Sequence, residues 1–359
     1  MAGDGERRLI EVRKSDHIEI CAKEDLGVGY SYWDDIKLVH NALPEVDFDD
    51  IDTSATLFGR KLGAPIVISA ITGGYGKAEE INRTLASVAE RYGLGMGVGS
   101  QRAALENPEL ACTYSVIKEF EIPLRIGNLG VPQLVKQGLR APLTIDEGRA
   151  AMEMVDAHVL AIHLNYLQEV VQPEGDTNTK GGLKAIERFA SSLPIMAKET
   201  GAGISRSVAT RLKRAGVKGI DVGGLGGTSF SAVEYYRARS AGDMTRANLG
   251  ETFWDWGIPT PVSVVLSSVG LPVVATGGVR SGLDVARAVS VGASAAGLAG
   301  RLLPAALEGE DALTAEIDTI IQELKAAMFL VGAKDMEALG AANALVTGRS
   351  REWLDNVME

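Results

Sequence analysis

Eight times along this chain a short apolar run breaks into a polar, often glycine-containing cluster and gives way to a stretch of helical spacing. No other sequence feature constrains the fold as strongly. Apolar runs this short read as buried strands. The runs are Pro65–Ser69, Leu94–Val98, Leu124–Gly127, Val159–Leu164, Pro194–Ala197, Gly219–Val222, Pro272–Ala275 and Ala295–Leu298. The segments between them include Glu79–Tyr92, with Ile81, Leu85, Val88 and Ala89 on one face, and Pro108–Phe120. Asp146–Val155 follows Thr144 as its N-cap, and Leu183–Ser191, Ser205–Ala215, a helix from near Pro261 and Leu283–Val291 complete the series.

Alternating strands and helices of this kind specify an α/β fold with a parallel sheet, and eight steps specify a (β/α)8 TIM barrel. The units are not sequence repeats, so a solenoid is excluded. A barrel of this class needs about 250 residues, and the 359 present leave room for extensions. The expected organisation is an arm and lead-in over 1–60, a barrel over 61–310 and C-terminal helices over 311–359. Residues 1–12 read as a polar, mobile start, and 25–60 as loops with one short hairpin. The tail has an amphipathic helix over Thr314–Val331 and a second over Met336–Ala344.

Barrel topology carries all eight polar strand ends to one mouth, so clusters dispersed in sequence converge in space. The richest follows the fourth strand: His163, Asn165, Gln168, Glu169, Gln172, Glu174 and Asp176, running into a Pro-Gly-Asp loop. It contains amides and carboxylates but no serine or cysteine nucleophile. His163 and Asn165 alternate with Leu164 and so share one face. His163 is either a hydrogen-bonded core residue or, with Asn165 and Gln168 beside it, a ligand contact. The carboxylates are either a solvated acidic loop or a site for Mg2+, which binds through one or two carboxylates and retains waters. Zinc is not expected with four histidines and no thiolate cluster.

Lys198 closes the fifth strand. A lysine in an apolar mouth needs an anion. Glu199 or a neighbouring carboxylate would serve, as would an anionic cofactor atom; a Schiff-base role is a further option. Gly277, Gly278 and Arg280 after strand seven, with Ala299 and Gly300 after strand eight, suit a phosphate, because barrels often hold one there. The glycine-rich turn from Gly223 to Thr228 is not a dinucleotide fingerprint, which belongs to the first βα turn of a Rossmann unit. Arg13 and Lys14 form either a solvated basic turn or an arm that brings two cations to an anionic ligand.

Net charge is -11, which disfavours a nucleic-acid partner. Two cysteines give no disulfide framework and point to a reducing, cytoplasmic setting. The charged start at Met1–Arg8 does not read as a secretory signal. No apolar run reaches the roughly 18 residues of a membrane span.

Together these stretches resemble the type 2 isopentenyl-diphosphate Δ-isomerase family of flavin-dependent barrels. The matching pieces are Arg13-Lys14-x-Asp16-His17, Ser69-Ala70-Ile71-Thr72-Gly73-Gly74, Gly99-Ser100-Gln101-Arg102, Asn128-Leu129-Gly130 and His163-Leu164-Asn165-x-x-Gln168-Glu169-x-x-Gln172-Pro173-Glu174-Gly175-Asp176. Lys198-Glu199-Thr200-Gly201, Gly226-Gly227-Thr228-Ser229 and Gly277-Gly278-Val279-Arg280 complete them in family order.

The resemblance implies interconversion of isopentenyl and dimethylallyl diphosphate on reduced FMN, with NADPH as reductant and no net redox change. It places FMN on Ala70, Ile71, Thr72, Gly73, Ser100, Asn128, Lys198, Gly223 and Thr228, and its phosphate on Gly277, Gly278, Arg280, Ala299 and Gly300. Substrate would meet Arg13, Lys14, Ser100, Gln101, Arg102 and Gln168. His163, Asn165, Gln168 and Lys198 would form the catalytic set, and Glu169 would bind Mg2+. A homotetramer or homo-octamer is implied as well.

Two departures from the family pattern are visible. Ile71 stands where methionine is common. Gly223 stands where serine is frequent, which removes a side-chain flavin contact that backbone or water would replace. The competing expectation is an FMN-dependent 2-hydroxy-acid oxidoreductase on the same barrel. It needs a histidine base late in the barrel, and the stretch from Gly224 to Pro272 has none. A non-enzymatic phosphate- or flavin-binding barrel would leave the carboxylate and amide cluster without a purpose.

Overall fold

A computed structural model describes residues 4–357, with side chains from Arg13 onward. Eight parallel strands close on themselves: β1 (Ile66–Ile68), β2 (Gly95–Gly97), β3 (Leu124–Gly130), β4 (Val159–Leu164), β5 (Ile195–Glu199), β6 (Gly219–Asp221), β7 (Val273–Thr276) and β8 (Ala295–Leu298). Their order around the barrel is their order in the chain, with β8 paired to β1. The α/β barrel expected from the rhythm is therefore the observed fold.

Side chains alternate along each strand, and this alternation builds two cores. One set packs inside the barrel, with Val67, Leu124, Ile126, Val159, Ala161, Met196, Val274 and Ala295 in contact. The other set, including Ile66, Ile68, Leu160, Ile162, Ile195 and Ile220, faces the surrounding helices. The expected hairpin, Ala55–Leu57 with Arg60–Leu62, contributes Leu57, Leu62 and Phe58 to the inner core and so plugs the barrel floor. Ligands are thereby confined to the opposite end. The same two-residue step carries Ile126 to Asn128, Ala161 to His163, Met196 to Lys198 and Val274 to Thr276. Where the inner core stops being apolar, the mouth begins.

Several expectations change. Residues 4–12 are not an irregular start but part of one helix, Asp4–Lys23, whose later turns rest on Phe230 and Trp254 through Ile20 and Cys21. Residues 1–3 lie outside the described residues. The 108–120 stretch is not one helix; two 3-10 turns flank the α-turn Cys112–Ser115. The chain does not run from β4 straight into a loop: a helical segment, Tyr166–Val171, intervenes. The long insertion holds two helices, Phe230–Ser240 and Met244–Thr252. Near the C-terminus Met336–Gly340 is a short helix, but Ala344–Val346 is a strand antiparallel to Ile36–Leu38, followed by helix Gly348–Val357. Thr144 caps helix Ile145–Val155 in a full capping box with Glu147. Helix Glu310–Val331 lies against helices Gly282–Ser290 and Ala78–Tyr92. No described helix is long and apolar enough to cross a membrane.

Candidate active site

The barrel mouth opens into a cavity of about 500 Å³, within the range of small-molecule and cofactor sites. Its lining includes Ala70, Ile71, Thr72 and Gly73 from the β1 end, Ser100 and Arg102 after β2, and Asn128 from β3. His163, Asn165, Gln168 and Glu169 come from β4 and the turn after it, with Lys198 from β5 and Gly223 and Thr228 after β6. Gly277, Gly278, Arg280, Ala299 and Gly300 face it from β7 and β8, and Arg13 and Lys14 from the N-terminal helix. All but one of the predicted site residues thus meet here.

The exception is Gln101. It is fully buried, donates to the Ala151 carbonyl and accepts from the Asn128 amide, so it braces β3 instead of reaching ligand. The motif Gly-Ser-Gln-Arg carries no signal that separates this bracing glutamine from its cavity-lining neighbours.

His163 lies between Asn128 and Lys198. Asn128 Nδ2 donates to the Val98 carbonyl, which turns its Oδ1 toward His163 Nδ1 at 2.8 Å. Nδ1 therefore carries the proton, and Nε2 is an acceptor. Burial, then the charges of Lys198, Lys14 and Arg13, push the imidazole down to about 3. The ring is neutral at physiological pH and accepts a hydrogen bond.

Lys198 Nζ donates to Asp221 Oδ2 at 2.8 Å. Glu199, the partner weighed from sequence, instead accepts the amides of Thr200, Gly201, Ala202 and Gly203 and shapes the turn after β5. Sequence alone gives Asp221 no role. Its signal is a charged residue inside the apolar run Gly219–Val222.

Glu169 is buried and accepts from Asn165 Nδ2 at 3.0 Å, Gln172 Nε2 at 2.6 Å and the Asp176 amide at 2.7 Å. Burial raises its carboxyl above the ordinary range. Asn165 Oδ1 beside it is buried with no hydrogen-bond partner. A buried orphan acceptor next to a carboxylate is costly unless something donates to it or coordinates it. Among the described residues no three His, Cys, Asp or Glu gather as a metal site.

Gln168 is held at both ends: it donates to Glu234 Oε1 at 3.0 Å and accepts from Asn165 at 3.2 Å. Glu234, from the insertion helix, also pairs with His17 Nε2 at 2.9 Å and Arg237 at 2.6 Å. Burial opposes its ionisation, but His17, Arg237 and Gln168 outweigh burial and hold it down to about 2. Arg237 continues to Glu174 at 2.9 Å, and Glu174 lies 3.9 Å from Arg13. A carboxylate in the otherwise apolar run Ala232-Val233-Glu234 was the only hint of this network.

Lys14 reaches Gly73 O at 2.5 Å, Ser100 O at 2.8 Å and Tyr114 Oη at 2.6 Å. It ties the N-terminal helix to the loops after β1 and β2. Burial, then Arg13 and Arg102, lower its ammonium to about 7. Arg102 is held by Glu106 at 2.7 Å and Asp176 at 3.3 Å, so Asp176 orients a cation.

The loop after β7 is supported from outside. Trp33 Nε1 donates to the Gly277 carbonyl at 2.9 Å, and Asp34 bridges Arg280 and Arg287 at 3.0 and 3.1 Å. Gly277 has φ +122, and a Cβ there would lie 2.3 Å from the Gly224 carbonyl. Gly223 has φ +42, and a Cβ would overlap the Glu199 carbonyl at 1.9 Å. The missing serine is therefore a property of this turn, which admits no side chain at that position.

A closed eight-stranded parallel barrel with a glycine-lined mouth and a buried lysine at the β5 end places the chain among (β/α)8 barrel proteins. Residues 183–346 match the family of FMN-dependent dehydrogenases. A mandelate oxidase variant holding a monooxide FMN adduct shares the fold, with TM-score 0.58, 18% identity and 94% of this chain and 96% of that one covered. The isopentenyl-diphosphate delta-isomerase of Thermoplasma volcanium is 48% identical over 97% of this chain and 100% of its own length. That of Archaeoglobus fulgidus is 47% identical over 96% of this chain and 98% of its own. The chain belongs to the isopentenyl-diphosphate delta-isomerase family and is an isomerase.

Proposed function

We propose that this enzyme interconverts isopentenyl diphosphate and dimethylallyl diphosphate with reduced FMN in the barrel mouth and Mg2+ on the substrate diphosphate. The observation that carries the reading is the convergence of His163, Asn165, Gln168, Glu169 and Lys198 on one cavity.

The residues fit FMN. Gly73 and Gly223 line the cavity, Lys198 offers a cation, and the loops after β7 and β8 offer amides to a phosphate. They also fit Mg2+ in its usual mode, in which one carboxylate and substrate phosphates share a hydrated ion. Glu169 is that carboxylate, and the unpartnered Asn165 Oδ1 is a second oxygen beside it. NADPH would serve as transient electron donor.

Moving a double bond between unactivated carbons needs a proton added at one carbon and removed at another, with water kept out. Reduced FMN supplies that acid–base capacity. The side chains serve other ends. Gln168 is neutral and clamped between Glu234 and Asn165, so it orients. Neutral His163 presents Nε2 as an acceptor. Lys198 stabilises negative charge on its side of the cavity. Arg13, Lys14 and Arg102 supply positive charge for the diphosphate. The family's homo-oligomeric state and a cytoplasmic setting belong to the same proposal; light scattering of the purified protein checks the former.

The test is proton NMR in deuterated buffer under argon, with FMN, Mg2+ and dithionite or NADPH. Isopentenyl diphosphate should convert to deuterium-labelled dimethylallyl diphosphate, and not when FMN is left oxidised. An FMN- and Mg2+-loaded protein that leaves the substrate unchanged refutes the reading and shifts the search to 2-hydroxy acids.

A further inference from the structure

Register places three charged or titratable side chains in a row across the mouth. His163 of β4 is level with Lys198 of β5, and Lys198 with Asp221 of β6. Asp221 is buried and does not line the main cavity, whereas Lys198 does. Asp221 Oδ2 accepts from Lys198 Nζ at 2.8 Å and Oδ1 accepts from the Gly223 amide at 3.2 Å. One carboxylate thus divides itself between the cation that faces the cavity and the turn that faces it from the next strand.

We propose that Asp221 is a positioning residue that sets the reduction potential of the bound flavin through Lys198. The inference rests on the reading of this mouth as an FMN site. Reduction by two electrons and one proton converts the neutral oxidised ring to an anion. A cation beside that ring favours the reduced form, and a carboxylate paired with the cation takes back part of the effect. Asp221 therefore holds Lys198 toward the barrel axis and moderates its charge.

The experiment measures the midpoint potential of the FMN-loaded full-length protein by dithionite titration against a reference dye. Wild type is compared with Asp221→Asn, Lys198→Met and the double variant. Asparagine keeps an oxygen for the Gly223 amide and withdraws the anionic acceptor from Lys198. Asp221→Asn should favour reduced over oxidised FMN by about tenfold, a rise of about 30 mV for a two-electron couple. Lys198→Met should lower the potential, and Asp221→Asn should raise it clearly less in that background than in wild type, because part of its effect runs through placing the lysine.

An unchanged potential in Asp221→Asn, even with lowered thermal stability, would make Asp221 merely structural and overturn the proposal. So would an equal rise with Lys198 absent, since Asp221 would then act on the flavin directly. If Asp221→Asn does not fold, Asp221→Ser tests the same loss of charge. Should wild type take up no FMN, the reading of the site fails and this inference with it. FMN uptake with a potential indifferent to Asp221 sinks only the inference.

Discussion

The Glu234→Gln substitution tests the buried network that joins the N-terminal helix to the helical turn after β4. Glu234 is fully buried, and its three partners, His17, Gln168 and Arg237, come from two other elements and its own helix. Its carboxyl stands at about 2 against an ordinary 4.5. At about 1.4 kcal/mol for each tenfold in proton affinity, that difference amounts to about 3 kcal/mol of folding stability. The folded value lies below the unfolded one, so the contribution is complete above about pH 4.5 and disappears as pH falls through about 2. Glutamine keeps the shape but not the charge. Urea unfolding should show the variant less stable by about 3 kcal/mol near pH 7 and by about 2 kcal/mol near pH 3.5, because the wild-type advantage has begun to titrate. Loosening Gln168 should also lower kcat more than it raises KM. A stability difference below about 1 kcal/mol at neutral pH, or one that stays constant down to pH 3.5, would refute the view that this carboxylate is held charged by its partners.

Three further outcomes follow from the site. Trp33→Phe removes the hydrogen bond to Gly277 and should weaken FMN binding about fivefold, the worth of one such bond of about 1 kcal/mol, read by flavin fluorescence quenching. Burial lowers the Lys14 ammonium to about 7; if the diphosphate meets it there, KM should rise as pH climbs above about 7 and lose that dependence in Lys14→Met, measured by steady-state kinetics across the range. Glu169→Gln should raise the Mg2+ concentration for half-maximal activity at least tenfold, as for loss of the one carboxylate ligand, while FMN affinity measured by the same quenching assay stays near wild type.

Much of this site was legible before any coordinates. Strand ends in a barrel must converge, so His163, Lys198 and Gly277 could be assigned to one mouth from their order alone. Partners were not legible. Lys198 chose Asp221 over adjacent Glu199 because neighbours on a strand point to opposite faces, while register sets Asp221 beside Lys198 on the next strand. Gln101 and Ser100 share a motif, yet one turns into the protein and the other lines the cavity. Glu234 and Arg237 were invisible because their insertion has no place in the strand–helix rhythm. The helical turn after β4 was hidden because six residues beside a Pro-Gly-Asp sequence give too little periodicity to register.

Composition and pattern determined the barrel, the face on which ligands bind and the stock of charges available there, since burial of apolar runs and alternation along strands are local consequences of the chain. Tertiary structure alone decided which charge meets which. Hydrogen-bond partners are fixed by strand register, by a distant helix laid across the mouth and by the segment around Trp33 that braces the Gly277 loop, and all of these depend on contacts between residues up to about two hundred and fifty positions apart.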